Sequence, residues 1–386
     1  MWHSEVSSIA TCAFAADARV RSQVNPASDG VARRSAKREG GRSALLAATI
    51  RSVQHFDGRS DMKILVTGAA GFLGSRLTAA LLSGRHGMPI TGIVAADTSA
   101  RPDNDPRVDC RIGTIADADF TRSIADSGVD VVYHLAAVLS GQSEAEFDLG
   151  MQVNVDATRG LLETFRRLEK APRFIFASSV AVFGGPLPDV VPEDMAVRPD
   201  SSYGAEKAIA ELLVNEYSRR GFIDAIICRL PTIAVRPGAP NSALSSFVSG
   251  IIREPMAGVD SVCPVPLDTR LWISSPDVVI DNLVHAARIP TSALEGRRAL
   301  NLPGLCVTPA EMLASLEKLG GAAARAHVRC EEDQRMMRIV CSWPGAFDVS
   351  RPLRLGFVAD RDIDAVVGQF IADQGTARDA TPREAR

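Results

Sequence analysis

Aromatic residues make up only 5% of this 386-residue chain, and tyrosine occurs just three times. The seven cysteines, at 12, 110, 228, 263, 306, 330 and 341, are odd in number and contain no CxxC pair. That pattern argues against a disulfide framework or a thiolate zinc site and fits reduced thiols in the cytoplasm. No metal site is expected. No run approaches 18 apolar residues, so no membrane-spanning helix is predicted. A formal net charge of −3 gives no basic surface for a nucleic-acid partner. A small anionic substrate would need local arginines instead.

What is present is organised around Met62 to Leu77, MKILVTGAAGFLGSRL. An apolar run, Ile64 to Val66, meets glycines at Gly68, Gly71 and Gly74 and then enters a periodic segment through Leu82. This predicts a buried strand, a tight turn and a helix whose N-terminus faces a cofactor phosphate. No Gly-Lys-Ser/Thr follows the glycines, which excludes a phosphate-hydrolysing loop. A second strand, Ile90 to Ala96, ends at Asp97, 23 residues after Gly74. A carboxylate there accepts both ribose hydroxyls of NAD and repels a 2′-phosphate, so NAD is the expected cofactor, with Arg101 nearby as the one contrary sign.

Residues 1–61 differ from the rest. They hold nine Arg or Lys against six Asp or Glu and show little periodicity. They are expected to be a disordered extension, and Met62 an alternative start of the folded protein. From Met62 onward strands and helices alternate, which predicts an α/β fold: a doubly wound Rossmann-type parallel sheet. Further strands are expected at 108–112, 129–135, 173–177 and 225–230. Helices are expected at 117–127, at 143–170 with a break near Gly150, and at 202–220. The expected division is a nucleotide-binding core over 62–230, a smaller substrate cap over 231–373 interleaved with late core pieces, and a polar tail over 374–386. Within the cap, helices are expected at 241–253, 276–287, 308–319 and 362–371, while 334–340 is ambiguous.

Tyr203 and Lys207 lie four apart on a predicted helix and so share a face. A lysine one turn from a tyrosine lowers the phenol's proton affinity, so that the phenolate takes a hydroxyl proton as hydride leaves carbon. Ser178 and Ser179 end strand five, where a hydroxyl binds the substrate oxygen, and Ser179 is the better candidate. Asn154 is a candidate for holding a water or a backbone carbonyl in a proton relay. Arg236 and Arg270 are candidate anion clamps, suited to bidentate contact with a carboxylate.

Six segments in this order, TGAAGFLG at 67–74, HLAA at 134–137, NVDAT at 154–158, SSVAVFG at 178–184, YGAEK at 203–207 and NLPG at 301–304, resemble the extended short-chain dehydrogenase/reductase family, which includes nucleotide-sugar epimerases and dehydratases. The resemblance covers Met62 to about Ala372. It implies that Ser179, Tyr203 and Lys207 form a catalytic triad supported by Asn154. It also implies NAD bound by Gly68, Gly71, Phe72, Leu73, Gly74, Asp97, Leu135, Ala136, Ala137, Asn154, Tyr203, Lys207 and Leu230. Homodimers packed through helices at about 144–169 and 202–220 are implied as well. Three positions depart from the family pattern: Thr114 stands where Asp is common, Phe183 where Tyr is common, and Ser274 where His is common. Pro231-Thr232 also replaces the Asn that epimerases of the family use on sugar-nucleotide phosphates.

The segments CRLPTIAVRPG and TRLWISSPD resemble a subgroup of the family that oxidises small four-carbon sugar acids such as D-erythronate. This implies a substrate carboxylate on Arg236 or its neighbours, hydroxyl contacts from Ser140, Thr232 and Ser179, and the C2 hydroxyl facing Tyr203. The products would be the 2-oxo acid and NADH. The alternative is a UDP-sugar 4-epimerase using the same triad with tightly held NAD. A nucleotide-sensing regulator is a third class, which the intact Ser-Tyr-Lys set disfavours.

Overall fold

Alternating apolar segments build a seven-stranded, wholly parallel sheet around strand β1 (Met62–Thr67), five of whose six residues are buried. The computed structural model describes residues 62–379 except 102–103 and 240–242, so the extension expected over 1–61 and the end of the tail lie outside the described residues. In chain order β1 is followed by α1 (Phe72–Leu82), β2 (Ile90–Asp97), β3 (Val108–Ile112), α2 (Ala118–Ala125) and β4 (Val131–His134). Then come α3 (Ser140–Ala145), α4 (Phe147–Gly150), a π-helix (Met151–Ala157), α5 (Thr158–Arg167), β5 (Arg173–Ser179), α6 (Ser202–Arg219) and β6 (Asp224–Leu230).

The later elements are β7 (Thr232–Ile233), α7 (Ser246–Met256), β8 (Ser261–Cys263), β9 (Leu271–Ser274), α8 (Pro276–Ala286), β10 (Ala299–Asn301), β11 (Leu305–Val307), α9 (Pro309–Ala326), β12 (Val328–Cys330), α10 (Gln334–Val340), α11 (Ser350–Arg354) and α12 (Ile363–Asp379). The large sheet runs β10-β6-β5-β4-β1-β2-β3. One face packs Leu77 and Leu81 of α1 with Ile280 and Leu283 of α8. The other packs Ile124, Leu161, Phe165 and Val214 from α2, α5 and α6. Strand order reverses between β1 and β4, so a crevice opens at their C-terminal ends, where an open α/β sheet binds its ligand.

The segment after β6 contributes to two structures. α8 and β10 complete the large sheet and its cover. The sheets β11-β9-β7 and β12-β8, with α7, α9, α10 and α12, enclose a separate apolar core that includes Ile251, Ile273, Leu316 and Val367.

Several boundaries differ from expectation. The helix expected over 143–170 is four pieces, and its middle is a π-helix carrying Asn154. α7 begins at Ser246 rather than 241. α9 continues past Leu319 to Ala326, with a kink at Gly321, where φ is +86°. The ambiguous 334–340 segment is helical because Asp333 caps it, accepting the amide of Met336 at 2.8 Å. α12 extends to Asp379, beyond the expected end at 371.

Candidate active site

The turn after β1 has the close backbone approach and the uncapped helix start that fit a phosphate, with the Arg101 guanidinium donating to the carbonyls of Ala69 at 3.3 Å and Gly74 at 3.4 Å. Gly68 has φ +73°, and a Cβ there would lie 2.8 Å from the amide nitrogen of Ala136. A Cβ on Gly74 would lie 2.0 Å from the carbonyl oxygen of Gly68, so α1 can seat on the turn only as glycine. No side chain caps the N-terminus of α1, whereas α6, α8 and α9 are capped by Ser201, Ser275 and Thr308. The first helical amides are thus left for an anion. Asp97 ends β2 and is held by the amides of Ala70 at 2.9 Å and Ser99 at 3.0 Å. This cradle and carboxylate fit the pyrophosphate and adenosine ribose of NAD.

Both features open into one cleft of about 980 Å³, lined by Gly68, Gly71, Phe72, Leu73, Gly74 and Asp97 from the first two strand ends. Leu135, Ala136, Ala137 and Ser140 follow β4 into it, and Ser179, Tyr203, Lys207, Leu230, Thr232 and Arg236 line its far end. Two expected site residues lie elsewhere. Arg270 is in a neighbouring recess, with its Nε 3.4 Å from the sulfur of Cys306. Asn154 is buried behind the cleft floor, where its amide brackets Val138: it accepts from the Val138 N–H at 2.8 Å and donates to the Val138 carbonyl at 3.0 Å. Trp272, Arg335 and Trp343 also line the cleft and were not picked out by sequence. Only the rarity of tryptophan, three in the chain, marked two of them.

The two serines ending β5 divide their work. Ser178 is buried and donates to Glu211 at 2.5 Å, which commits it to the core. Ser179 accepts the Ala181 amide at 3.1 Å, so its own proton is left to donate into the cleft. Helix α6 starts against this strand end because Ser201 accepts the amide of Gly204 at 3.2 Å. One turn in, Lys207 donates to the carbonyl of Ala177 at 2.9 Å. Its ammonium lies 4.9 Å from the Phe176 ring centroid and 5.7 Å from that of Tyr203.

Burial dominates the electrostatics. It brings Lys207 down to about 8, against the opposing pull of Glu206 and Glu211. It pushes the Tyr203 phenol up to about 12, with Glu206 adding to the rise and Arg236 opposing it. Arg236 is lowered by burial and then by Arg253, and is raised by Tyr203. His134, beside the cleft, is brought to about 3 by burial and then Lys207, and it sits between the hydroxyls of Thr67 and Thr158 at 2.7 and 2.9 Å. It is therefore a neutral packing residue and not the base.

The family departures have local explanations. Ser274, where a histidine is common, is buried and donates to Asp360 at 3.0 Å, pinning the C-terminal segment to β9. Phe183 lines the cleft with the Arg229 guanidinium 4.9 Å from its ring centroid. Thr114 also lines the cleft, so a hydroxyl stands where the family pattern has a carboxylate.

Known proteins resemble this chain along most of its length. It is 47% identical over 324 residues to a D-erythronate dehydrogenase of Cupriavidus necator, covering 82% of this chain and all of that one. A crystal structure described as a nucleoside-diphosphate-sugar epimerase from Agrobacterium tumefaciens superposes with a TM-score of 0.79 at 37% identity, covering 84% of this chain and 98% of that one. Another, MoeE5 in complex with UDP-glucuronic acid and NAD, gives a TM-score of 0.65 at 26% identity, covering 82% and 100%. The pattern of the NAD dependent epimerase/dehydratase family matches residues 64–288. This chain belongs to that family and is an NAD-using oxidoreductase within it.

Proposed function

We propose that this enzyme oxidises the C2 hydroxyl of a small sugar acid, D-erythronate foremost, to the 2-oxo acid with formation of NADH. The relative with 47% identity is named a D-erythronate dehydrogenase. The observation that carries the reading to this chain's own residues is Arg236. Its guanidinium lines the catalytic end of the cleft beside Tyr203 and has no carboxylate partner among the described residues. A substrate carboxylate supplies the missing partner.

NAD, when bound, supplies the hydride acceptor, and Gly68, Gly71, Phe72, Leu73, Gly74, Asp97, Leu135, Ala136, Ala137 and Leu230 would hold it. The protein's own residues do the rest. Arg236 anchors the carboxylate, and Ser140 and Thr232 contact the remaining hydroxyls. Ser179 donates its free proton to the reacting oxygen. The Tyr203 phenolate takes the C2 hydroxyl proton, and the Lys207 ammonium stabilises that phenolate. Because burial holds the phenol proton tightly, the oxidation rate rises with pH from neutrality toward about 8, where Lys207 begins to lose the ammonium proton that the phenolate needs. The exposed apolar side chains Phe147 on α4 and Ile209 and Leu212 on α6 support a homodimer through these helices. The free cysteines support a reducing, cytoplasmic setting.

Arg236→Ala is expected to raise KM for D-erythronate about 10–100-fold, the value of a charge-assisted hydrogen bond. KM for NAD should stay nearly constant. Steady-state kinetics with each substrate varied in turn check this. A rise confined to KM for NAD would assign Arg236 to the cofactor phosphates instead, since its guanidinium also lies 5.8 Å from the Phe72 ring centroid.

A further inference from the structure

Between Tyr203 and Lys207, on the buried face of α6, lies a carboxylate that the proton transfer above does not use. Glu206 has 0% exposure. One oxygen, Oε2, accepts from Asn154 Nδ2 at 2.5 Å and from Ser143 Oγ at 2.9 Å. The other, Oε1, is buried with no hydrogen-bond partner. A buried oxygen without a donor is costly and calls for a compensating role. The surrounding chain makes room for it. A Cβ on Gly150 would stand 2.1 Å from Oε1, and the π-helix that follows presents Asn154 toward Glu206. π-Helical turns of this kind recur at functional sites.

We propose that Glu206 is a positioning residue for the proton transfer: through Asn154 it fixes the Val138 backbone of the cleft wall against the catalytic helix, and its unpaired oxygen keeps negative charge one turn from Tyr203. The chain of contacts is continuous. Glu206 holds Asn154, Asn154 brackets both backbone groups of Val138, and Val138 lines the cleft. The charge acts on the phenol directly. A neighbouring carboxylate makes the phenolate a stronger base, while Arg236 opposes the rise and the Lys207 ammonium stands 5.7 Å from the ring centroid.

The other titratable groups do not cancel this effect. From α3 through the π-helix the acids Glu144, Glu146, Asp148 and Asp156 are exposed, and the neutral Ser143 and Asn154 are the polar side chains there that bond Glu206. Toward the sheet, His134 is neutral, and Glu211 is paired with Arg229. Beside Tyr203 stand two cations, Lys207 and Arg236, and Glu144, whose carboxylate accepts the amide of Ser202 at 3.0 Å.

The inference rests on Tyr203 being the base, and the test separates the two. Glu206→Gln keeps the shape and an acceptor for Asn154 but removes the charge. The measurement is log kcat/KM for sugar-acid oxidation against pH, with thermal stability and KM for NAD as controls. The rising limb is expected to move about 0.5–1 unit toward lower pH, with a lower plateau, because the phenol loses its proton more easily and is then a weaker base. If Glu206→Gln does not fold, Glu206→Ser gives the same readout. A limb that superposes on the wild type, whatever happens to the plateau, overturns the inference and leaves Glu206 a packing residue. Full activity in Tyr203→Phe would instead overturn the assignment of the base.

Discussion

Replacing Tyr203 with Phe is expected to lower kcat for sugar-acid oxidation by about 100- to 10,000-fold, the usual contribution of a positioned general base. The loss should fall on kcat, because Phe keeps the ring that faces Lys207 while deleting the one group that accepts the substrate proton. NAD binding should survive, since the glycine turn and Asp97 lie at other strand ends. Stopped-flow or steady-state NADH formation, together with NAD-induced fluorescence change, separates the two effects. A variant that loses NAD binding and keeps its kcat at saturating cofactor would place Tyr203 in cofactor binding alone.

The second large effect concerns the scaffold beneath the site. Arg229 on β6 meets Glu211 on α6 through Nη2 at 2.7 Å and Nε at 2.9 Å, with both side chains under 8% exposed. Glu211 also accepts from Ser178, the neighbour of Ser179, and Arg229 reaches Asn301 on β10 at 3.4 Å. This pair ties the catalytic helix to three strands. Among the described residues, Arg229→Met leaves buried Glu211 with Ser178 as its one remaining side-chain hydrogen-bond partner, at an expected cost of about 3–5 kcal/mol. Urea unfolding should show the loss, and Arg229→Met with Glu211→Leu together should recover much of it, because the uncompensated charge is then gone. A loss below about 1 kcal/mol in the single variant would mean that water reaches Glu211 and screens it, contrary to the burial described.

The sequence carried the sheet well because local signals coincide there. The apolar run of β1, the glycines and Asp97 lie within 36 residues, and each constrains the backbone by itself. Helical spacing puts Tyr203 and Lys207 on one face, and the serines ending β5 together with the family resemblance make that pair a candidate. The rest depends on contacts between distant residues. Ser179 is the better candidate of the two serines by sequence, and the reason Ser178 turns inward, its hydrogen bond to Glu211, lies 33 residues on. Asn154 reads as a residue that holds a water or a backbone carbonyl, and which carbonyl it holds, that of Val138, depends on the π-helix. Arg270 matches an anion clamp by type but lies in the adjoining recess, and Arg236 alone of the two arginines lines the cleft. The cap was hardest to read because β8, β9, β11 and β12 are three or four residues long and gain order only from partners far along the chain. Glu206 had one signal that went unused. It sits within the Tyr203–Lys207 turn, on the same buried face, where an acid has little reason to be unless it acts on its neighbours.

The most direct test is cofactor turnover by the purified enzyme, offered NAD with D-erythronate in one reaction and with a UDP-sugar in another. Net oxidation of the C2 hydroxyl predicts NADH accumulating in proportion to D-erythronate consumed and no change in the UDP-sugar. Epimerisation of the UDP-sugar without net NADH, alongside inert D-erythronate, would contradict the account.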